Sequence, residues 1–152
     1  MDHAIFAYGT LRVGEPNNSI LDGHQGAATL SAKTAERYLM VVSRHSASFP
    51  YLIPVDYWPA AASKAIHITG DILQTTDVGL RRCDKLEGHP DWYCRTKIKT
   101  IRGSDAESSE GGQGTEVWAY ILTRASFEEW DIDEYHIIES GDWKKFKLQG
   151  QA

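Results

Sequence analysis

The sequence has no long apolar run, no excess of basic residues and only two cysteines. No stretch approaches the roughly 18 apolar residues of a membrane-spanning helix, so we expect no membrane partner. The N-terminal residues show neither the basic start nor the apolar core of a signal peptide, which makes the cytosol the expected compartment. A formal net charge of −5 argues against a basic surface for a phosphate backbone, so we expect no nucleic-acid partner.

Potential metal ligands are also sparse. Cys83 and Cys94 form no Cys-x-x-Cys pair, and the six histidines are scattered without the spacing of a zinc site. We therefore expect no metal, and we expect both thiols to be reduced and packed in the core, as free cysteines usually are. A monomer is expected, because no long apolar stripe is left over for an interface.

The composition predicts one globular domain over residues 1–152. Apolar residues make up 41% and charged residues 24% of the chain, and its length is sufficient to bury a core. The segment 103–114 is rich in Gly, Ser and Glu and has little apolar surface to bury. We predict a mobile loop there, between two strands.

Short runs of β-branched and aromatic residues predict a strand-rich chain. In Ile66–Ile72 apolar and polar residues alternate, and Gly70 falls on the buried face, where another group is expected to approach closely. Phe49–Pro54 contains two prolines and is expected at a sheet edge or in a loop. The tail from Asp131 onward shows no regular period. The other predicted strands are Ala4–Tyr8, Ala27–Lys33, Tyr38–Val42, Cys94–Ile101 and Thr115–Leu122.

One helix is predicted in the middle of the chain. Asp77 is the expected N-terminal cap and Gly88 the expected stop. Val78, Cys83 and Leu86 recur at near-helical spacing and are expected to form its buried face. The strands and this helix together predict a compact β-rich α+β domain.

A glycine-bearing turn follows the first strand in the segment Phe6-Ala-Tyr-Gly-Thr-Leu-Arg-Val-Gly-Glu-Pro-Asn17. A strand that ends in Tyr8-Gly9-Thr10-Leu11 presents successive backbone N–H groups, which suit a carboxylate or a developing oxyanion. A side chain at Gly9 would block the approach of a ligand. By itself, such a turn is more often an ordinary hairpin.

A glutamate ends the predicted helix in the segment Cys83-Asp-Lys-Leu-Glu-Gly-His-Pro-Asp-Trp-Tyr-Cys-Arg95. The partial negative charge of a helix C-terminus disfavours the carboxylate of Glu87, and an apolar neighbour such as Trp92 acts in the same direction. A raised pKa would make Glu87 suitable for acid–base catalysis near neutral pH. The alternative is a solvent-facing glutamate in the last helical turn.

The two segments together resemble the γ-glutamylcyclotransferase-like family, and most closely its γ-glutamylamine cyclotransferase branch. The pattern F-A-Y-G-T-L-R-x-G-x-P-N precedes D-x-L-E-G-x-P-x-x-Y-x-R, in the order that the family shows. The segments Ile68–Ile72, Val117–Tyr120 and Ser140–Trp143 are also similar to the family's pattern. The region from Gly23 to Lys64 is less similar.

The resemblance implies a fold, a reaction and a set of site residues. The fold is a small mixed β-barrel with a few short flanking helices. Glu87 is the implied catalytic acid–base, and Tyr93 lies near it with an open role. The implied substrate-binding residues are Tyr8, Gly9, Thr10, Leu11 and Tyr120. No cofactor is implied, because a γ-glutamyl substrate carries its own nucleophile.

The implied activity is that of a γ-glutamylamine cyclotransferase, which releases 5-oxoproline and a free amine such as lysine from γ-glutamyl-ε-lysine. One alternative is the same reaction on γ-glutamyl amino acids or glutathione-like peptides, whose glutathione-directed enzymes carry serine in place of Thr10. Another alternative is a non-catalytic small-ligand-binding or interaction domain on the same fold. The identity of the leaving amine stays open, as does the choice between carboxylate and oxyanion at the turn.

Overall fold

The computed structural model describes residues 2–26, 30–102 and 115–149. Within these ranges the strands are β1 His3–Ala7, β2 Leu30–Ser43, β3 Tyr51–Ile53, β4 Ile66–Thr75, β5 Tyr93–Arg102, β6 Thr115–Leu122 and β7 Tyr135–Ile137. The α-helices are α1 Asp77–Glu87, α2 Arg124–Glu128 and α3 Trp143–Leu148, and 3-10 helices occupy Pro16–Leu21, Val55–Tyr57, Pro59–Lys64 and Ile132–Glu134. None of the helices in these ranges has the length and apolar character needed to cross a bilayer.

Five strands close into a small mixed barrel. Their order is β2-β4-β1-β6-β5, and β5 pairs back onto β2 to complete the circle. The β1–β6 pair is parallel, with Ile5 opposite Trp118, and the other pairs are antiparallel. The mixed barrel with a few short helices that the resemblance implied is therefore confirmed.

Strand β2 is longer than the sequence predicted. The expected strands Ala27–Lys33 and Tyr38–Val42 are parts of one strand, of which the structure describes Leu30–Ser43. Its pairing register with β4 shifts between Lys33 and Arg37, as a β-bulge does. The first part of β2 pairs with β4 and β5 in the barrel, and the last part, beyond the bulge, pairs with β3 and β7. The loop predicted over 103–114 lies outside the described residues and stays a prediction.

Strand β1 runs through the centre of the core. Alternate side chains point to opposite faces of a strand, and both faces of β1 are buried. Ile5 and Ala7 pack in one apolar cluster, and Phe6 packs in the other. Gly70 of β4 lies beside them, and a Cβ there would come within 2.6 Å of the Phe6 ring. The close approach predicted for Gly70 is thus confirmed.

Helix α1 ends where the sequence predicted but buries a different face. Its N-cap is Thr76, whose hydroxyl accepts a hydrogen bond from the Gly79 N–H over 3.1 Å, so the assignment of the cap to Asp77 was wrong. Leu80 and Cys83 are buried, and of these two only Cys83 was predicted to lie on the buried face. Val78 and Leu86, also expected inside, are 36% and 37% exposed.

Between Asp131 and Gln149 the C-terminal segment forms regular elements despite its lack of a periodic pattern. Strand β7 pairs with β2, and α3 packs its first residue, Trp143, into the core at 1% exposure. The indole Nε1 of Trp143 donates to Glu15 over 3.0 Å, and Lys147 of the same helix forms an ion pair with Glu15. Helix α3 is thereby attached to the segment that follows the glycine turn.

Candidate active site

A small cavity of about 30 Å³ lies at the C-terminal end of β1. It is smaller than the ~300–1,000 Å³ of typical small-molecule sites, so only a small part of a ligand would fit inside it. The six residues expected to act on substrate all line it, and they are Tyr8, Gly9, Thr10, Leu11, Glu87 and Tyr120. Phe6, Ala7, Phe49, Pro50 and Tyr93 complete the lining. Four segments that are distant in sequence therefore meet at one place.

The turn after β1 is held by its own backbone and by Asn17. The Arg12 N–H donates to the carbonyl of Gly9 over 3.0 Å, and the N–H and side chain of Asn17 donate to Thr10 over 2.9 and 2.8 Å. The N–H groups of Gly9, Thr10 and Leu11 find no acceptor among the described residues. Three backbone donors beside one cavity are the arrangement expected of an anion-binding turn.

A buried arginine anchors this turn to the rest of the protein. Nε and Nη2 of Arg12 each donate a hydrogen bond to the Asp71 carboxylate at 3.3 Å, and Nη1 donates to Asp142 at 3.1 Å. Arg12 is 7% exposed. Its charge is satisfied by β4 and by the N-cap of α3, so it holds the turn in place and is not free to bind a substrate carboxylate. The sequence analysis missed this role.

Gly9 is required by Pro50. A Cβ at Gly9 would lie 2.7 Å from Cγ of Pro50, a distance that forces one of the two to move. From the sequence we explained Gly9 by the approach of a ligand, and we expected the leaving amine to contact loops around Arg44–Tyr57 without singling out Phe49 or Pro50. Both precede β3, which pairs only with β2 in the described sheet, as expected for an edge segment.

Glu87 is the last residue of α1 and faces the cavity. Gly88 follows with φ 65°, a left-handed conformation that ends the helix. Burial raises the pKa of Glu87 from its ordinary value of 4.5 to about 7. Trp92, which we expected to contribute to this shift, is 39% exposed and is not part of the cavity lining. Within the described part of the chain, no cation forms an ion pair with Glu87.

Three tyrosines stand around Glu87 as neutral hydroxyls. Burial raises the pKa of Tyr8 and of Tyr93 well above the ordinary 10, and the negative charge of Glu87 adds to both effects. Burial and a hydrogen bond to Asp84 raise the pKa of Tyr120 as well. Glu87 is therefore the lining side chain that titrates near neutral pH, because tyrosines of this kind keep their protons there.

The tyrosine hydroxyls differ in their partners. Tyr8 donates to the backbone carbonyl of Tyr120 over 2.6 Å, and Tyr120 donates to the Asp84 carboxylate over 2.7 Å. Arg95 reaches the other oxygen of Asp84 at 3.5 Å. The hydroxyl of Tyr93 has no partner among the residues that the structure describes. Of the three, Tyr93 is the one with an uncommitted proton.

Metal chemistry has no evident ligand set in the described ranges, where no group of three or more His, Cys, Asp and Glu side chains is arranged to hold an ion. Cys83 is buried and Cys94 is half-buried, and both are free thiols. Burial raises the pKa of Cys83 to about 12, so it stays a thiol in the core. The expectation of no metal and no cofactor stays a prediction.

Comparison with known proteins shows which family the chain belongs to. Residues 5–145 match the model of the family described as gamma-glutamyl cyclotransferase, AIG2-like. The chain belongs to this family. The resemblance drawn from the two motifs is therefore confirmed, and the family indicates a γ-glutamyl cyclotransferase enzyme.

Relatives cover most of the chain. A protein of Methanocaldococcus jannaschii, provisionally named a gamma-glutamylcyclotransferase, is 32% identical over 94% of this chain and 97% of its own length. The gamma-glutamylaminecyclotransferase of Rattus norvegicus is 31% identical over 87% of this chain and 85% of its own. The crystal structure of an AIG2-like protein from Mus musculus matches with a TM-score of 0.59 and 25% identity, over 80% of this chain and 78% of that one.

Proposed function

We propose that this protein is a γ-glutamylamine cyclotransferase, in which the α-amine of the substrate attacks its own γ-carbonyl and releases 5-oxoproline and a free amine. The observation that carries the proposal is one cavity in which Glu87, with a pKa of about 7, lies with three unpaired backbone N–H groups of Gly9, Thr10 and Leu11. The gamma-glutamylaminecyclotransferase of the rat, similar over most of the chain, supports the same assignment.

The backbone donors are assigned to the α-carboxylate of the substrate. No lysine or arginine is among the described residues that line the cavity, so backbone N–H groups are the donors available to an anion there. Binding this end of the γ-glutamyl group folds its flexible chain toward the five-membered ring. Holding reacting groups in this way lowers the entropic part of the barrier.

Glu87 carries the proton. As a carboxylate it removes a proton from the α-ammonium, and the free amine then attacks the γ-carbonyl to form the new C–N bond. The resulting acid returns the proton to the leaving nitrogen, whose bond to the γ-carbon breaks. The second proton of the ring nitrogen then passes through the regenerated Glu87 carboxylate to the released amine. A group with a pKa of about 7 suits both transfers at neutral pH.

Tyr93 is assigned to the oxyanion that forms on the γ-carbonyl oxygen. It lines the cavity, burial keeps it protonated, and no described residue accepts its hydroxyl proton. Loss of one oxyanion donor typically costs ~3 kcal/mol of barrier. Tyr93→Phe should therefore lower kcat by about 100-fold with little change in KM.

No lysine or arginine is among the described residues that line the cavity, and this favours amines over amino acids as leaving groups. In a γ-glutamyl amino acid a second carboxylate sits one carbon from the scissile nitrogen, so it would lie beside Glu87 at the mouth without a positive partner from the lining. In γ-glutamyl-ε-lysine the carboxylate of the leaving lysine is five carbons away. The same argument disfavours glutathione.

The test is a product assay for 5-oxoproline with purified protein, without metal or nucleotide. γ-Glutamyl-ε-lysine, γ-glutamyl-alanine and glutathione are compared, with Glu87→Gln as the control variant that keeps the side-chain size. We expect release from γ-glutamyl-ε-lysine, slower or no release from the other two, and none with Glu87→Gln. A folded sample that releases no 5-oxoproline from any of the three would favour a non-catalytic domain. A preference for glutathione would favour the alternative activity on glutathione-like peptides.

A further inference from the structure

The cavity opens toward a group of aromatic side chains. Of the eleven lining residues, Thr10, Phe49 and Glu87 are partly exposed and the others are buried, so these three mark the mouth. Beyond Phe49 lies Trp92, with ring centroids 6.1 Å apart and planes at 90°. Trp92 is 39% exposed and lies next to the mouth through its contact with Phe49.

Two further rings hold this pair in place. Tyr51 lies 5.2 Å from Phe49 and stacks on Tyr93 at 6.0 Å with an interplanar angle of 14°. Trp92 lies 4.9 Å from Tyr93. Phe49 and Tyr51 come from the segment of β3, whereas Trp92 and Tyr93 come from the junction of α1 and β5. The arrangement thus continues the wall of the cavity outward, on the same side as Phe49.

Among the described residues, the arginines and lysines that stack on aromatic faces do so on Trp118, Tyr57 and Trp143, and none stacks on these rings. An exposed tryptophan beside a partly exposed phenylalanine leaves adjoining apolar surface in contact with water, which needs an explanation more than a single exposed apolar residue does. Its position at the mouth of a substrate cavity points to a ligand.

The chemistry of the reaction determines which part of the ligand lies near the Phe49 and Trp92 rings. The γ-glutamyl group occupies the inner cavity between the turn and Glu87. The leaving nitrogen must lie within reach of the Glu87 carboxyl group, which is itself at the mouth. The substituent on that nitrogen therefore extends outward past Phe49.

We infer that Phe49 and Trp92 form a subsite for an aromatic ring carried by the leaving amine, so that arylalkylamines are a preferred class of leaving group. The inference rests on the proposed function, because it names the amine that the same site releases. A ring two carbons from the nitrogen would pack against the Phe49 and Trp92 rings, whose planes stand at 90° to each other. Aromatic pairs of this kind contribute about 0.5–1.5 kcal/mol beyond area burial, which corresponds to roughly 2- to 12-fold in kcat/KM.

The experiment compares kcat/KM for γ-glutamyl-2-phenylethylamide and γ-glutamyl-n-butylamide, which share the alkyl stem and differ in the ring. Phe49→Leu and Trp92→Leu remove an aromatic ring but keep an apolar side chain. Trp58→Leu is the matched control, since Trp58 is a half-buried tryptophan that lines a different cavity. The melting temperature of each variant shows that it is folded.

We expect the wild type to prefer the phenylethylamide by about fivefold, and we expect Trp92→Leu and Phe49→Leu each to abolish that preference. Trp58→Leu should keep the preference. Equal rates for the two amides in the wild type would overturn the subsite and leave the proposed function standing, and so would a preference that survives both leucine variants. Silence on both amides from a sample that releases 5-oxoproline from γ-glutamyl-ε-lysine would also overturn the subsite alone, whereas silence on all three substrates would refute the proposed function and the subsite with it.

Discussion

The hydroxyl of Tyr120 donates a hydrogen bond to the carboxylate of Asp84 over 2.7 Å, which links a cavity-lining tyrosine to the helix that ends in Glu87. Asp84 lies three residues before Glu87, and Arg95 contacts its other oxygen. Because the Tyr120 proton is used in this bond, its hydroxyl oxygen can only accept from a ligand. The α-ammonium group of a γ-glutamyl substrate is a donor of the required kind.

A double-mutant cycle tests this link. Tyr120→Phe removes the acceptor offered to substrate, and Asp84→Ala removes the group that orients it, so each should lower kcat/KM about tenfold, as for the loss of one hydrogen bond to a charged group. Because both act through one interaction, the double variant should also be about tenfold slower. A 100-fold loss in the double variant would show that the two residues act independently.

Replacing Glu87 should stabilise the fold at neutral pH while it abolishes turnover. The folded-state pKa of about 7 exceeds the ordinary 4.5, so the folded protein binds the proton more tightly than the unfolded chain. The stabilising effect of that proton is therefore full below pH 4.5 and is lost as the pH rises through 7. Allowing for partial solvent access, Glu87→Gln should raise the free energy of unfolding at pH 8 by about 2 kcal/mol.

Urea denaturation at pH 8 and at pH 4 measures this effect. At pH 4 both proteins carry a neutral side chain at this position, so their midpoints should coincide. Glu128→Gln, on the exposed surface of α2, serves as the control for the loss of one charge. A stability gain that is the same at both pH values would not come from the Glu87 proton.

The pH dependence of turnover should report the same group. If Glu87 acts first as a base, kcat/KM rises as its carboxylate forms, with a midpoint at about pH 7. A second limb at higher pH belongs to the α-ammonium of the substrate and should move when that amine is N-methylated. A rising limb near pH 4.5 in wild-type profiles would mean that Glu87 titrates as an exposed carboxyl group and that the burial argument fails.

Gly9→Ala should inactivate the enzyme through Pro50. The added methyl group would lie 2.7 Å from Cγ of Pro50, so the turn or the proline must shift. Overpacking of this kind typically costs about 1–3 kcal/mol of stability, and the shifted N–H groups should lower kcat/KM at least tenfold. Pro50→Ala in the same chain removes the clash and should restore a large part of both losses. If it restores neither, the space at Gly9 is needed by the substrate itself.

The C-terminal end of α1 was predictable from the sequence, and its buried face was less so. The stop of α1 at Glu87 follows from Gly88, because glycine readily adopts the left-handed conformation found there. The buried face was wrong because Val78 and Leu86 are apolar but partly exposed, and apolar residues are common on protein surfaces. The spacing of Leu80, Cys83 and Glu87, at i, i+3 and i+7, would have put the glutamate on the inner face.

The contacts that assemble the site come from residues far apart in the chain, and no local pattern reports them. Arg12 meets Asp71 and Asp142, which are 59 and 130 residues away. Pro50 packs on Gly9 from a segment that resembles the family only weakly. The family resemblance supplied the pairing of the glycine turn with Glu87, because composition and periodicity carry no information about that distance.

Barrel closure has a kinetic consequence. The pairs that complete the circle, β1 with β6 and β2 with β5, join Ile5 to Trp118 and Ala32 to Arg102. Contacts between such distant residues form late, because the entropy of closing a long loop is lost before the contact compensates for it. Cavity residues sit on both sides of the β1–β6 seam, so we expect the complete site to form only when these two strands have paired. Recovery of turnover after refolding is thus a direct signal of the final step of folding.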